Sequence, residues 1–446
     1  VRLYRSVLAV GVSAGVATAL VAAGTLSAFA DVARGVRVSV AGNGAQGDGE
    51  SGSPAVNADG RIVAFASVAP NLVAADSNGT TDVFVHDTVD RATTLVSVAT
   101  DGRQGNDRST SPAVSTSGRY VAFTSAATNL VAGDTNRSRD VFVRDLVTGT
   151  TVLASVSGTG EPGDGHSTRP SISADGRYVA FRSEAGNFIA GGTGGRSRVF
   201  VRDLVAGRTT LVTEAASGQP GYGDGLFSPA ALARPEISAD GRYVTFESEA
   251  GDLVGDDTNG RSDVFVRDLA AGATSRVSVS SSGRQTSGAS DKPSISADGR
   301  YIAFRSTAQD LLDGDPQLWS QIYLHDRDTG RTELVSRSGS NDPAARDCDL
   351  PALSGNGRYL AFTSRATNLV DGDADSRPDL FVRDLVKGTV VRVTASAAGG
   401  QLDGNPVLNV AISGAGRHVA YDSRAANIVE PDTNAAGDVF LHNLDG

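Results

Sequence analysis

The stretch PAVSTSGRYVAFTSAATNLVAGDTNRSRDVFVRDL, Pro112 to Leu146, decides the fold because its pattern returns along the chain. Its Gly118-Arg119 pair serves as an anchor. The same pair starts at Gly60, Gly176, Gly241, Gly299, Gly357 and Gly416. The seven are almost evenly spaced, and only the step from Gly176 to Gly241 is clearly longer. Seven copies at a nearly constant step are the mark of a repeat architecture, which outranks local propensity.

Within one repeat, Pro112 to Ser115 reads as a short apolar first strand, and Thr116-Ser117-Gly118 as a tight turn. Other copies spell that turn Ala-Asp-Gly, as at Ala174 to Gly176; glycine accepts the positive φ such turns need. Arg119 to Ser125 is the second strand, Asp140 to Leu146 the third and Thr151 to Val156 the fourth, each rich in β-branched or aromatic residues. No window offers an amphipathic helix of useful length. Four strands per repeat predict an all-β fold: a seven-bladed β-propeller of four-stranded antiparallel blades. The last repeat has three strands and stops at Asp445-Gly446, while Gly35 to Val40 matches a fourth strand, Thr274 to Val279. Pairing the N-terminal strand with the last blade closes the ring and removes the exposed edge a solenoid would leave.

Residues 1–30 read as a signal peptide ahead of a propeller domain over 31–446. Arg2 and Arg5 precede an apolar run, and Ala28-Phe29-Ala30 is a small-x-small cleavage site. This predicts a secreted or extracytoplasmic protein, in periplasm or at the cell surface, with no transmembrane segment in the mature chain. A monomer is expected. The formal charge is −11, or −13 without Arg2 and Arg5, and Lys292 and Lys387 are the only lysines. An acidic surface disfavours nucleic acid as a partner. Cys348, the single cysteine, excludes an intrachain disulfide; a buried thiol is expected there.

With strands alternating up and down, the second-to-third and fourth-to-first loops of every copy emerge on one face. These are the long, polar, variable loops; the other face has only tight turns. Binding residues concentrate on loops held by a rigid scaffold, so the long-loop face is the candidate surface. Two apolar features stand out there. Leu226 and Phe227 lie in the one insertion, about seven residues within Tyr222 to Ala233, and are expected to fold back onto a neighbouring blade. Trp319, the only tryptophan, is expected to fill space where the usual polar loop residues are missing.

The long loop ends in Asp-x-[Asn/Asp]-x-x-x-Asp in five copies: Asp76, Asn78 and Asp82; Asp134, Asn136 and Asp140; Asp257, Asn259 and Asp263; Asp373, Asp375 and Asp379; Asp432, Asn434 and Asp438. Oxygen ligands two residues apart on a tight loop suit a hard cation such as Ca2+. The same residue types also close Asx-turns on their own backbone, and both readings stand at this level. Copy 3 has Gly192, Gly194 and Arg198 at these positions, and copy 5 has Asp315, Gln317 and Gln321; no ion is expected in either. The three carboxylates of copy 6 make it the best cation candidate.

No catalytic residue and no organic cofactor is assigned. His86, His166, His325, His418 and His442 are scattered, and three of them alternate with Arg144, Arg202, Arg267 and Arg383 at one repeat position. That is the behaviour of a structural position. There is no Gly-x-Ser-x-Gly elbow and no His-Glu zinc motif.

Ser173 to Ser183 and Asp140 to Gly149 together resemble the WD40-like β-propeller repeat PD40, the repeat of the TolB propeller domain. Asp175, Gly176, Phe181 and Ser183 match its first half; Val141, Phe142, Val143 and Asp145 match its second. The resemblance covers residues 35 to 446 and implies the propeller fold. TolB looks like a periplasmic protein-binding propeller, but its extra N-terminal domain has no counterpart here. The prolyl-peptidase domain of some relatives is missing too, and the histidine-rich metal site of oligogalacturonate lyases is not reproduced. Three functions follow as expectations: a module binding protein or carbohydrate, an extracellular polysaccharide hydrolase or lyase, and a calcium-stabilised cell-surface structural module.

Overall fold

The computed structural model describes residues 35–192, 196–215, 217–218, 235–312, 318–404, 407 and 409–445. They form seven four-stranded antiparallel sheets, with no α-helix among the described residues. Blade 2 shows the plan: Ser109–Val114 innermost, then Tyr120–Ser125, Asp140–Asp145 and Thr150–Leu153. The second strand carries the Tyr/Val/Phe run and is buried along all but its first residue. Each blade stacks its two central aromatics, as Phe123 and Phe142 do with centroids 5.8 Å apart, and the apolar core lies between neighbouring blades. Val141 and Val143 of blade 2, for example, pack with Val179, Phe181 and Phe200 of blade 3.

The ring closes as the sequence predicts. Val36–Arg37 pairs antiparallel with Asp438–Asn443, matching Val36 to Leu441 and Arg37 to Phe440, as the outer strand of blade 7. Polar contacts fix this short strand. Ser39 Oγ donates to Asp438 Oδ1 at 2.7 Å, and Arg37 Nε lies 2.9 Å from Asp438 Oδ2.

The first strand begins earlier than expected, at Ser109 rather than Pro112. Proline is a poor guide to the start because it sits inside the strand, at a bulge between Thr110 and Ala113. The residue at this bulge takes the left-handed region: Ser53, Ser111, Arg169, Lys292 and Leu350 have φ of 51–57°. Four of these, Ser53, Arg169, Lys292 and Leu350, line the mouth of the central channel, so the bend that spoils the sequence reading also shapes the site.

The Gly-Arg anchor has a physical meaning. Gly176 has φ 77°, and a Cβ there would lie 2.2 Å from the ring of Tyr120 in the preceding blade. Tyr178 covers Gly241 and Tyr243 covers Gly299 in the same way, and His418 of blade 7 covers Gly60 of blade 1. In six copies the arginine next to the glycine clamps an aspartate at the end of its own third strand; in blade 7 Arg417 reaches Asp445, just past the strand. Arg119 donates to both carboxylate oxygens of Asp145, at 2.9 and 2.7 Å, and lies 4.9 Å over the Tyr120 ring.

Gly176→Ala combines a strained φ with overpacking against a neighbouring ring. It should cost about 2 kcal/mol or more and lower Tm, measurable by thermal unfolding. A matched Gly79→Ala, where φ is 68° but nothing lies within 4 Å, should cost less. Removal of residues 35–41 should lower Tm by exposing the edge of blade 7; an unchanged melt would contradict closure.

Candidate functional site

Among the described residues, two concavities open on the long-loop face. One is the central channel, with a cavity of 370 Å³ reached past Ser53, Arg169, Glu236, Lys292, Leu350 and Asn409. Its mouth is held by contacts between blades. Asp422 of blade 7 accepts the Ser53 N–H at 3.0 Å, Thr124 accepts that of Arg169 at 3.2 Å, and Glu247 accepts that of Lys292 at 2.8 Å. Charged side chains close to it are paired. Lys292 Nζ donates to Asp349 at 2.6 Å, and Arg305 grips Asp291 through two bonds of 2.7 and 2.5 Å.

The second concavity is a groove of 720 Å³ that shares Lys292 and Leu350 with the channel and runs past Trp319 toward Arg365 and Val407. Leu318 is 81% exposed and Trp319 37%, with the Arg346 guanidinium 5.0 Å over the indole. Trp319 therefore does more than fill a gap: part of it faces solvent. Arg365 is exposed and makes no side-chain hydrogen bond or ion pair among the described residues. Cys348 lies beneath the groove, fully buried, its thiol pushed up to about 12 by burial; it is the inert thiol the sequence suggests. Leu226 and Phe227 lie outside the described residues.

The acidic loops lie on the same face, and their middle and last residues have defined structural tasks. The middle residue closes an Asx-turn. Asn78, Asn136, Asn259, Asp375 and Asn434 each accept the backbone N–H two residues on, at 2.8–2.9 Å. The asparagines also donate to a carbonyl of the next long loop, as Asn136 does to Gly163 at 2.7 Å and Asn434 to Gly47 at 2.7 Å. The last aspartate opens the third strand. Asp82, Asp140, Asp263, Asp379 and Asp438 accept from a hydroxyl at the end of the fourth strand at 2.5–2.7 Å. In blade 5 Gln321 takes the aspartate's place on Ser336, at 2.5 Å. In blade 3 Arg198 opens the third strand and Gly192 sits in the loop, while Gly194, Asp315 and Gln317 lie outside the described residues.

The first and last aspartates converge in the loops, and two partners escape the sequence reading. A glutamine of the following loop spans the pair. Gln104 donates to Asp76 and Asp82, both at 2.8 Å; Gln285 to Asp257 and Asp263; and Gln46 to Asp432 and Asp438. Gln401 donates to Asp373. In three blades an arginine of the fourth strand also reaches the pair: Arg37, Arg276 and Arg392. A repeat alignment could have found both, since Gln104, Gln285 and Gln401 follow Asp82, Asp263 and Asp379 at one common offset. The carboxylates of Asp373, Asp375 and Asp379 lie within 4.8 Å of one another, the spacing a metal needs. Arg392 Nη1 stands 3.7 Å from Asp373 and 3.8 Å from Asp379.

The five histidines do not meet. His86 and His325 share hydrogen bonds with Thr93 and Thr332, both at 2.9 Å, where Arg144 and Arg202 bond Thr151 and Thr209 in other blades. His166 accepts the Arg139 N–H, His418 covers Gly60, and burial lowers His442 to about 4.

No family model matches the chain, and no curated protein matches it. Solved structures do. An oligogalacturonate lyase in complex with manganese is similar at a TM-score of 0.53 and 14% identity over 93% of this chain and 94% of that one. The β-propeller domain of the Trilobed protease from Pyrococcus furiosus is similar at 0.52 and 12%, over 88% and 93%. Its open velcro topology contrasts with the closed ring described here. TolB from Acinetobacter baumannii matches at 0.41 and 17% over 77% of this chain, which spans 63% of TolB's length. At these identities the shared property is the fold. No helix among the described residues is long and apolar enough to cross a membrane.

The two faces titrate in opposite senses. The arginine clamps hold Asp87, Asp203, Asp268, Asp326 and Asp384 at about 2, chiefly by hydrogen bonding. Their stabilisation is present above the ordinary carboxylate value and is lost as pH falls toward 2. Burial raises Asp134 and Asp379 to about 6. Those two favour the folded state below the ordinary value, and that advantage is lost as pH rises through 6. Chelator-treated protein should therefore melt highest between the two ranges, near pH 4 to 5, and less stably at pH 7. A Tm that climbs steadily from pH 4 to 7 would contradict this.

Proposed function

We propose that this chain is an exported, monomeric propeller that recognises a protein or a glycan on its long-loop face. The groove beside the channel mouth carries the reading. It offers a part-exposed indole, an exposed leucine and an uncommitted guanidinium on rigid blades. Tryptophan and arginine dominate binding energy where they line a pocket, and a propeller holds them without an ordering cost. Export rests on the basic, apolar and small-residue segments of residues 1–30, which lie outside the described residues.

A second reading, in which a cation such as Ca2+ stabilises the loop face, is favoured by the close approach of Asp373, Asp375 and Asp379. It is compatible with the first, since ions would stiffen the loops that present the groove.

Screening against glycan and peptide arrays should yield a ligand whose affinity falls about tenfold in Trp319→Ala and in Arg365→Ala, the loss expected for one well-placed contact of each kind. Ligands that bind both variants as tightly as the parent would place recognition elsewhere. Mass spectrometry of the exported protein should find its N-terminus at or near Asp31; an intact N-terminus in a membrane fraction would mean an anchor.

A further inference from the structure

The five acid pairs form an internal comparison, since each blade is a control for the others. In blades 4, 6 and 7 an arginine of the fourth strand stands within 4.0 Å of both aspartates. Blade 1 has Leu95 at that position but keeps Gln104 across the pair. Blade 2 has neither. Leu153 stands where blades 4 and 6 place Arg276 and Arg392, and Pro162 stands where they place Gln285 and Gln401. Asp140 retains Ser155 on one oxygen and Asn136 on the other. Asp134 is 7% exposed, and its Oδ1 is buried with no hydrogen-bond partner. No ion pair reaches either residue among the described residues; the exposed His166 acts on Asp140 only as a weak lowering influence against the larger rise from burial.

Removing one partner of a buried charge pair is strongly destabilising, because the other charge is left buried and uncompensated. A chain that deletes both the guanidinium and the carboxamide in one blade, while keeping both aspartates, leaves that cost unless something else supplies the charge. We infer that blade 2 holds a hard, oxygen-ligated cation between Asp134 and Asp140, where sibling blades place a protein-borne donor. The donors here are carboxylate oxygens, which suit calcium. Magnesium fits less well, because it demands near-ideal octahedral geometry and keeps most of its water. In blade 6 the guanidinium of Arg392 already supplies positive charge to two of the three carboxylates. This assignment rests on the cation-stabilised reading of the loop face and names a different blade for the ion.

The test is calcium titration of chelator-treated full-length protein, read by thermal unfolding and by calorimetry. Wild type should show a saturable rise in Tm with a single-site isotherm, half complete in the range of about 10⁻⁴ to 10⁻³ M expected of extracellular calcium modules. Leu153→Arg restores the guanidinium and Pro162→Gln the carboxamide. Either should raise Tm without calcium and abolish the calcium response; the second serves if the first does not fold. Asp134→Asn should abolish the response, and Asp375→Ala should leave it intact. No response in wild type at about 10 mM calcium, tenfold above the weakest constant expected, overturns both this site and the cation reading. A response lost in Asp375→Ala but kept in Asp134→Asn overturns only the blade 2 assignment and puts the ion in blade 6. A Tm that follows pH but never calcium means the two carboxylates share a proton instead, and overturns it.

Discussion

Each blade rests on the next through a side chain seated on a glycine, an aromatic ring at six of the seven junctions and Ile62 on Gly118 at the other. Tyr120 on Gly176, Tyr178 on Gly241 and Tyr243 on Gly299 are the same contact repeated. It requires a positive φ and an empty Cβ position at once. Around it the tripeptide Gly-Arg-Tyr does three jobs: glycine receives the preceding blade, arginine clamps the end of its own third strand, and tyrosine covers the blade that follows. Because the contact joins blade to blade, it holds the blade-to-blade geometry constant while the loops on the other face vary in length, as they do between Gly176 and Gly241. The last contact, His418 on Gly60, substitutes an imidazole for the phenol ring and still closes the circle.

That division of labour sorts the charges. On the tight-turn face carboxylates meet guanidinium groups that are partly open to water, and each such pair contributes little alone. On the long-loop face carboxylates are buried and answered by amides, hydroxyls or a buried arginine. The first arrangement tolerates neutral pH easily. The second makes the loops sensitive to whichever counter-charge is present, which is why blade 2 differs so much from blade 4 despite the same Asp-x-Asn-x-x-x-Asp spelling.

The fold is legible in the sequence because period, strand pattern and turn chemistry all point one way. The step between Gly-Arg pairs yields the blade count, and the likeness of Gly35–Val40 to Thr274–Val279 yields the closing strand. The first-strand boundary escapes because Pro112 looks like a strand start, whereas a bulge admits proline inside. In the site, the Asx-turn role of the middle residue can be read locally. The glutamine and arginine partners cannot: they lie far along the chain and, for Asp432 and Asp438, at its other end, in Gln46 and Arg37. The exposure of Trp319 escapes too, because it depends on neighbouring loops and not on the residue's own repeat.

The closing strand also sets where the molecule can be held. Val36–Arg37 runs outermost in blade 7, entering from the tight-turn side, and the third strand of that blade runs out to Asn443 on the same side. Both ends of the ring thus open away from the groove and the channel mouth. A tether, stalk or fusion joined at either end would present the long-loop face outward and unobstructed, as a dish points away from its mast.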